Sequence, residues 1–291
     1  MFVFKAAVVG AGTMGGEIAQ VIAAADIPVV LKDVEQRFID QGVARAREVT
    51  EGRLSRLVDK QRLTREEADT QLRGLMGRIH GSTTYDAFGD VDFVVEAVPE
   101  RMEIKQAVFA ELDAVTPGHA ILASNTSSLS ISEMAETTTR PHQVVGFHFF
   151  YPASMMRLIE VIEGDESSPE TMQTAVNFAQ TIRKMPIRCG EAPGFVGNRI
   201  AMSAISEIWR VQEEDGASVQ EMDQSVQESR VLPMGPFFLT DMLGLDTVLK
   251  VAEQLRDCYG DRIHVHSGMR ELVAAGNLGQ KTGKGFYEHG S

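Results

Sequence analysis

Gly10-Ala11-Gly12-Thr13-Met14-Gly15 stands between a short apolar run, residues 4–9, and a segment of helical apolar periodicity, residues 14–25. Strand, glycine-rich turn and helix in that order form the first βα junction of a dinucleotide-binding unit. Each glycine meets a separate demand. Gly10 permits the tight turn, Gly12 lets the backbone approach a pyrophosphate, and Gly15 lets the helix pack closely on the strand. Thr13 and Met14 begin the helix, whose N-terminus faces the anion. A second buried strand, 29–31, ends near Asp33, 18 residues past Gly15. A carboxylate there accepts hydrogen bonds from both adenosine ribose hydroxyls and repels a 2′-phosphate, so the pattern predicts NAD over NADP. Lys32 beside it would soften that preference.

Outward from this turn the chain alternates, with one interruption. Residues 37–78 are polar, with Leu54, Leu57 and Val58 on one stripe and Arg53, Arg56 and Lys60 on another. That pattern predicts two amphipathic helices inserted over about 35–78. Strands are then expected at 92–97, 120–123, 144–147 and 158–162, with helices at 104–114 and 169–182. Such alternation means a Rossmann-type α/β fold, a doubly wound and mostly parallel sheet covered on both faces. From Pro193 the strand signals stop. Segments 198–214, 219–228 and 238–259 are helical in pattern, punctuated by Pro233, Pro236 and several glycines. The expected division is a dinucleotide-binding domain over 1–190 and an all-helical C-terminal domain over 191–291.

Bulk properties exclude several classes. A net charge of −13 argues against nucleic acid as a general partner, since phosphate backbones require a dominant basic surface. Cys189 and Cys258 show neither a disulfide framework nor metal-ligand spacing, so no metal site is expected. The first residues enter a strand directly and do not read as a signal peptide. No uncharged apolar run approaches the length of a membrane span. A cytoplasmic protein is the expectation.

Two polar residues stand in apolar surroundings where neither is easily buried alone. His148 lies within Val144-Val145-Gly146-Phe147-His148-Phe149-Phe150-Tyr151-Pro152, and Glu160 within Leu158-Ile159-Glu160-Val161-Ile162. Each becomes tolerable as the other's partner. Twelve residues separate them, enough for a strand end, a loop and a return into the sheet. A carboxylate that orients one imidazole nitrogen leaves the ring's second nitrogen to exchange a proton near neutral pH. Oxidation of an alcohol by NAD requires such a base. Ser124-Asn125-Thr126-Ser127-Ser128 follows the 120–123 strand, at the sheet end where open α/β folds bind ligands. Serines here also read as caps for a helix starting near Ile131.

These blocks, in this order, resemble the L-3-hydroxyacyl-CoA dehydrogenases, including the short-chain 3-hydroxybutyryl-CoA type. The resemblance runs nearly end to end. It also rests on Val94-Val95-Glu96-Ala97, Pro193-Gly194-Phe195-Val196-Gly197-Asn198-Arg199, Pro233-Met234-Gly235-Pro236-Phe237 and Lys281-Thr282-Gly283-Lys284-Gly285-Phe286-Tyr287. It implies oxidation of (S)-3-hydroxyacyl-CoA to 3-oxoacyl-CoA, in fatty-acid β-oxidation or butanoate-type metabolism. His148 would be the acid/base and Glu160 its partner, with Ser127 and Asn198 near the 3-oxygen and the thioester carbonyl. Glu100 and Lys105 match positions near the nicotinamide half of NAD, and Lys281 a cofactor-associated lysine. The resemblance further implies that the C-terminal domain closes over substrate and forms a homodimer.

The inserted helices would contact CoA. Residues 37–78 hold ten Lys/Arg against seven Asp/Glu, a basic balance that suits a phosphate group. By composition alone a solvated helix face is the better reading; the resemblance raises Arg53 and Lys60 to CoA contacts. Two positions depart from the family. Tyr151, where Asn is usual, would fill space near the substrate and alter acyl-chain range. Glu17, where a small residue is common, is expected on the solvent face of the first helix. Two other readings stay open: a Rossmann-type dehydrogenase of a small non-CoA hydroxy acid, and an NAD-binding homologue with weak catalysis.

Overall fold

The computed structural model describes residues 2–230, 232 and 234–290, in two compact units, Met1–Ala192 and Pro193–Ser291. In the first unit, eight strands among the described residues make one sheet. They are β1 (Ala6–Val9), β2 (Val29–Lys32), β3 (Ile79–Ser82), β4 (Phe93–Glu96), β5 (Ile121–Ser124), β6 (Val144–Phe149), β7 (Leu158–Glu163) and β8 (Met185–Gly190). Their order is β3-β2-β1-β4-β5-β6-β7-β8, parallel throughout except for the antiparallel β6–β7 pair. Every residue of β1, β2, β4, β5 and β6 is buried, the mark of parallel strands covered on both faces.

β3 and β8 are the sheet edges, and the sequence reading does not contain them. β3 is Ile79-His80-Gly81-Ser82 with only Ile79 buried, and no residue of β8 is fully buried. Without an inward-facing apolar face, neither carries a strand signal above its neighbours.

Helices α1 (Thr13–Ala23), α2 (Gln36–Asp59), α3 (Arg65–Met76), α4 (Met102–Val115), α5 (Ile131–Ala135) and α6 (Pro169–Thr181) complete the first unit. α2 and α3 are the inserted pair expected over 35–78. α2 buries only Ile39, Gly42, Ala46, Thr50 and Leu54, and α3 begins in a capping box between Thr64 and Glu67. The main core packs Phe93, Phe147 and Phe178 together, with ring centroids 4.5–5.8 Å apart.

The second unit is helical. It comprises α7 (Gly197–Asp215), α8 (Val219–Glu228), α9 (Pro236–Leu243), α10 (Leu245–Tyr259) and α11 (Ser267–Ala274), around Trp209, Phe237, Leu245 and Leu255. The single helix read over 238–259 is two, broken at Gly244, whose φ of 95° a side chain would resist. Pro233, read as a helix punctuator, lies outside the described residues. Buried Asp241 accepts from the backbone N–H groups of Phe286 and Tyr287 and pairs with His289, fastening the terminal segment onto α9. Among the described residues no helix is long and apolar enough to cross a membrane, and no group of acidic, His and Cys side chains has metal-binding geometry.

Candidate active site

The glycine turn is shaped by close approaches that the sequence implied but could not measure. Gly10 has φ +99°, and a Cβ there would lie 2.5 Å from the Ala97 carbonyl oxygen. A Cβ on Gly15 would lie 1.7 Å from the Gly10 carbonyl oxygen. Gly12 is different: a Cβ on it would meet no protein atom within 4 Å. It borders a cleft of about 880 Å³ lined also by Gly10, Thr13, Met14 and Asp33, with Val98 and Ile104 as apolar walls. Open space over Gly12 at a helix N-terminus fits a pyrophosphate. Asp33 directly follows β2, with Oδ2 accepting from the Ala11 N–H and Oδ1 from the Val34 N–H, both at 2.6 Å. Lys32 is buried with its ammonium 4.2 Å from the centre of the Tyr85 ring, which anchors that charge.

Beyond β4 and β5 lies a charged network. Lys105 Nζ donates to both carboxylate oxygens of Glu96 (2.8 and 3.0 Å) and pairs with Glu100 Oε2 at 3.2 Å. Glu96 also accepts from Ser124 Oγ at 2.6 Å. Glu100 Oε1 accepts from Thr126 Oγ1 (2.7 Å), the Ser127 N–H (2.9 Å) and Ser127 Oγ (3.2 Å). Burial pushes Glu100 upward, but the Lys105 charge and the hydrogen bonds from Thr126 and Ser127 outweigh it and hold the carboxyl below the usual carboxylate range. The structure therefore brings Glu100, Lys105 and Ser127 together.

Glu96 is the residue sequence reasoning passed over. An acid in the apolar strand Phe93-Val94-Val95-Glu96 is the same signal that singles out Glu160, and both are fully buried. The cap of α5 is Ser130, which accepts from the Glu133 N–H; Ser127 is occupied with Glu100 instead.

His148 and Glu160 are direct partners in the antiparallel β6–β7 register, so their side chains share one face. His148 Nδ1 lies 2.6 Å from Glu160 Oε2. With Glu160 ionised, Nδ1 carries the proton and donates to it. Parallel pairing of Ser124 with Gly146 puts the Ser127 loop and His148 at the same carboxyl end of the sheet. Asn125 Oδ1, accepting from the Phe149 N–H at 2.9 Å, ties that loop to β6. Tyr151 follows, half exposed, joined to Pro152 by a cis bond.

Arg53 is exposed on α2, and exposed Lys60 is its C-cap. In the second unit, Asn198 is half-buried in the first turn of α7 and Lys281 forms an ion pair with Asp246. One expectation is overturned. Glu17 does not face solvent: it is wholly buried, bound by Arg45 and Ser154, because α2 covers the face of α1 on which it stands.

Comparison with known proteins covers both units. Residues 5–192 match the family profile described as 3-hydroxyacyl-CoA dehydrogenase, NAD binding domain, and residues 194–289 that of the 3-hydroxyacyl-CoA dehydrogenase C-terminal domain. The chain is 40% identical over 286 residues to a probable 3-hydroxybutyryl-CoA dehydrogenase of Deinococcus radiodurans, covering 98% of this chain and 100% of that one. It is 39% identical over 287 residues to a fatty acid oxidation complex subunit alpha of Pseudomonas savastanoi, covering 98% of this chain and 38% of that protein. The crystal structure of an (S)-3-hydroxybutyryl-CoA dehydrogenase from Ralstonia eutropha superposes with a TM-score of 0.91 at 37% identity, covering all of both chains.

Proposed function

The chain belongs to the 3-hydroxyacyl-CoA dehydrogenase family, and from that premise we propose how its chemistry is divided among its side chains. The reaction is the reversible, NAD-dependent oxidation of an (S)-3-hydroxyacyl-CoA to the 3-oxoacyl-CoA. Bound over Gly12 and beside Asp33, NAD supplies the hydride acceptor. His148 takes the 3-hydroxyl proton at Nε2 as the alcohol is oxidised and returns it in the reverse direction. Glu160 holds the ring through Nδ1 and stabilises the imidazolium that results. The single observation that carries this assignment is the buried 2.6 Å contact between them at the carboxyl end of the sheet.

Ser127 and Asn198 are assigned, on the family pattern, to the 3-oxygen and the thioester carbonyl. Glu100 and Lys105 serve the nicotinamide side of the cofactor, and their network with Glu96 and Ser127 supports that role. Lys281 is kept as a cofactor-associated residue. Arg53 and Lys60 take the CoA phosphates, and Tyr151 lines the acyl side. The second unit is assigned to substrate closure and to a homodimer interface, supported by exposed Ile200 on α7 and Met242 and Leu243 on α9. We place the enzyme in the cytoplasm, in fatty-acid or butanoate-type metabolism.

The test is NADH formation on adding (S)-3-hydroxybutyryl-CoA, with free 3-hydroxybutyrate as control. Turnover of the thioester alone is expected. Turnover of the free acid at an equal rate would move the assignment to a non-CoA hydroxy acid.

A further inference from the structure

Glu17 stands on α1 two residues past the last glycine of the turn, with no exposed surface. Its Oε1 accepts from Arg45 Nε (3.0 Å) and Nη2 (2.7 Å) on α2. Its Oε2 accepts from the Ser154 N–H (3.0 Å) and Ser154 Oγ (2.9 Å). Close packing makes the first contact possible. A Cβ on Gly16 would lie 2.6 Å from the Gly42 carbonyl oxygen, so glycine at both positions lets α1 and α2 touch and brings Arg45, one turn beyond Gly42, over Glu17.

The second contact reaches the segment that joins the strand bearing His148 to the strand bearing Glu160. That segment is pinned again by Lys184, whose Nζ donates to the Ala153 carbonyl at 2.5 Å and the Met156 carbonyl at 2.7 Å. Ala153 is fully buried, whereas Tyr151, Met155 and Met156 on either side of the pin are exposed. A buried carboxylate is costly, and here it is offset by four donors from two other elements. The protein keeps a charge there that a small residue would make unnecessary.

We propose that Glu17 is a positioning residue for the reaction: by fixing Ser154 it holds residues 151–157, the segment between the strands that bear His148 and Glu160, with the exposed side chains of Tyr151 and Met155 that it carries, in the arrangement that turnover requires. The inference rests on His148 and Glu160 being the reacting pair.

Glu17→Gln keeps the size and one oxygen but turns an amide NH2 toward one of two donor groups, so either Arg45 or Ser154 is released. kcat/KM for (S)-3-hydroxybutyryl-CoA is expected to fall about tenfold, carried by kcat, while the Kd for NADH by fluorescence titration stays within about twofold. Backbone amides of residues 153–157 should exchange faster with solvent deuterium. Ser154→Ala, which leaves the Glu17–Arg45 pair intact, should give a drop of about threefold with the same split. A folded Glu17→Gln with unchanged kcat/KM and unchanged exchange would overturn the proposal, as would an NADH affinity that falls in step with kcat/KM. If Glu17→Gln does not fold, an unchanged kcat/KM in Ser154→Ala overturns it. A wild-type enzyme that forms no NADH would sink the reaction proposed above, and the exchange rates at 153–157 would still decide the anchoring.

Discussion

Replacing Glu160 by Gln removes a charge without removing volume, at a site where solvent cannot compensate. Glu160 has no exposed surface and His148 is 6% exposed, so their 2.6 Å contact is not screened. A hydrogen bond to a charged partner contributes about 1.5–3 kcal/mol, and at about 1.4 kcal/mol per tenfold in rate its loss is a roughly 10- to 140-fold fall in kcat. The loss belongs to the transition state because the imidazolium forms only during turnover, so kcat and kcat/KM should fall together. Steady-state rates with (S)-3-hydroxybutyryl-CoA, alongside an NADH titration, separate the alternatives. Unchanged NADH affinity with a reduced kcat is the expected result. A kcat within about threefold of wild type would refute the claim that Glu160 charges and orients His148. Lost NADH binding would make Glu160 structural.

The glycine turn separates fold from binding. Gly15→Ala should abolish folded protein, since its Cβ would lie 1.7 Å from a backbone oxygen. Gly12→Ala should keep the wild-type Tm and weaken NADH binding about tenfold or more, and equal behaviour of the two would contradict the cradle. Asp33→Ala should lower the ratio of kcat/KM for NAD over NADP about tenfold, and wild-type values equal for the two cofactors would remove the basis for NAD. Acid stability should depend on Glu213, where burial pushes the carboxyl up but hydrogen bonds from Ser267 and His264 outweigh it and bring it to about 2. A folded value below the unfolded value of about 4.3 means stability present above that pH and lost as pH falls toward about 2. Glu213→Gln should flatten acid unfolding in that window, read by the fluorescence of Trp209, the sole tryptophan and fully buried.

Much of this architecture was legible because parallel strands buried on both faces leave continuous apolar runs. The runs at β1, β2, β4, β5 and β6 stand out for that reason, and the amphipathic stripe announces α2 and α3. The edge strands β3 and β8 were illegible because an edge has no such run. His148 and Glu160 could be paired from sequence because each is a polar residue in an apolar strand, a cost that implies a partner. Glu96 carried the same signal, and its partner Lys105 was named without it. Glu17 was misread for a different reason. Its burial is imposed by α2, and a helix inserted farther along the chain leaves no mark on the periodicity of α1.

The central claim, that His148 transfers the proton, is tested most directly by His148→Ala assayed for NADH formation from (S)-3-hydroxybutyryl-CoA, with NADH affinity measured in parallel. The account predicts that turnover falls by about a hundredfold or more while NADH still binds, since a positioned general base contributes about 10²–10⁴ in rate. A His148→Ala enzyme that oxidises the substrate at the wild-type rate would contradict it.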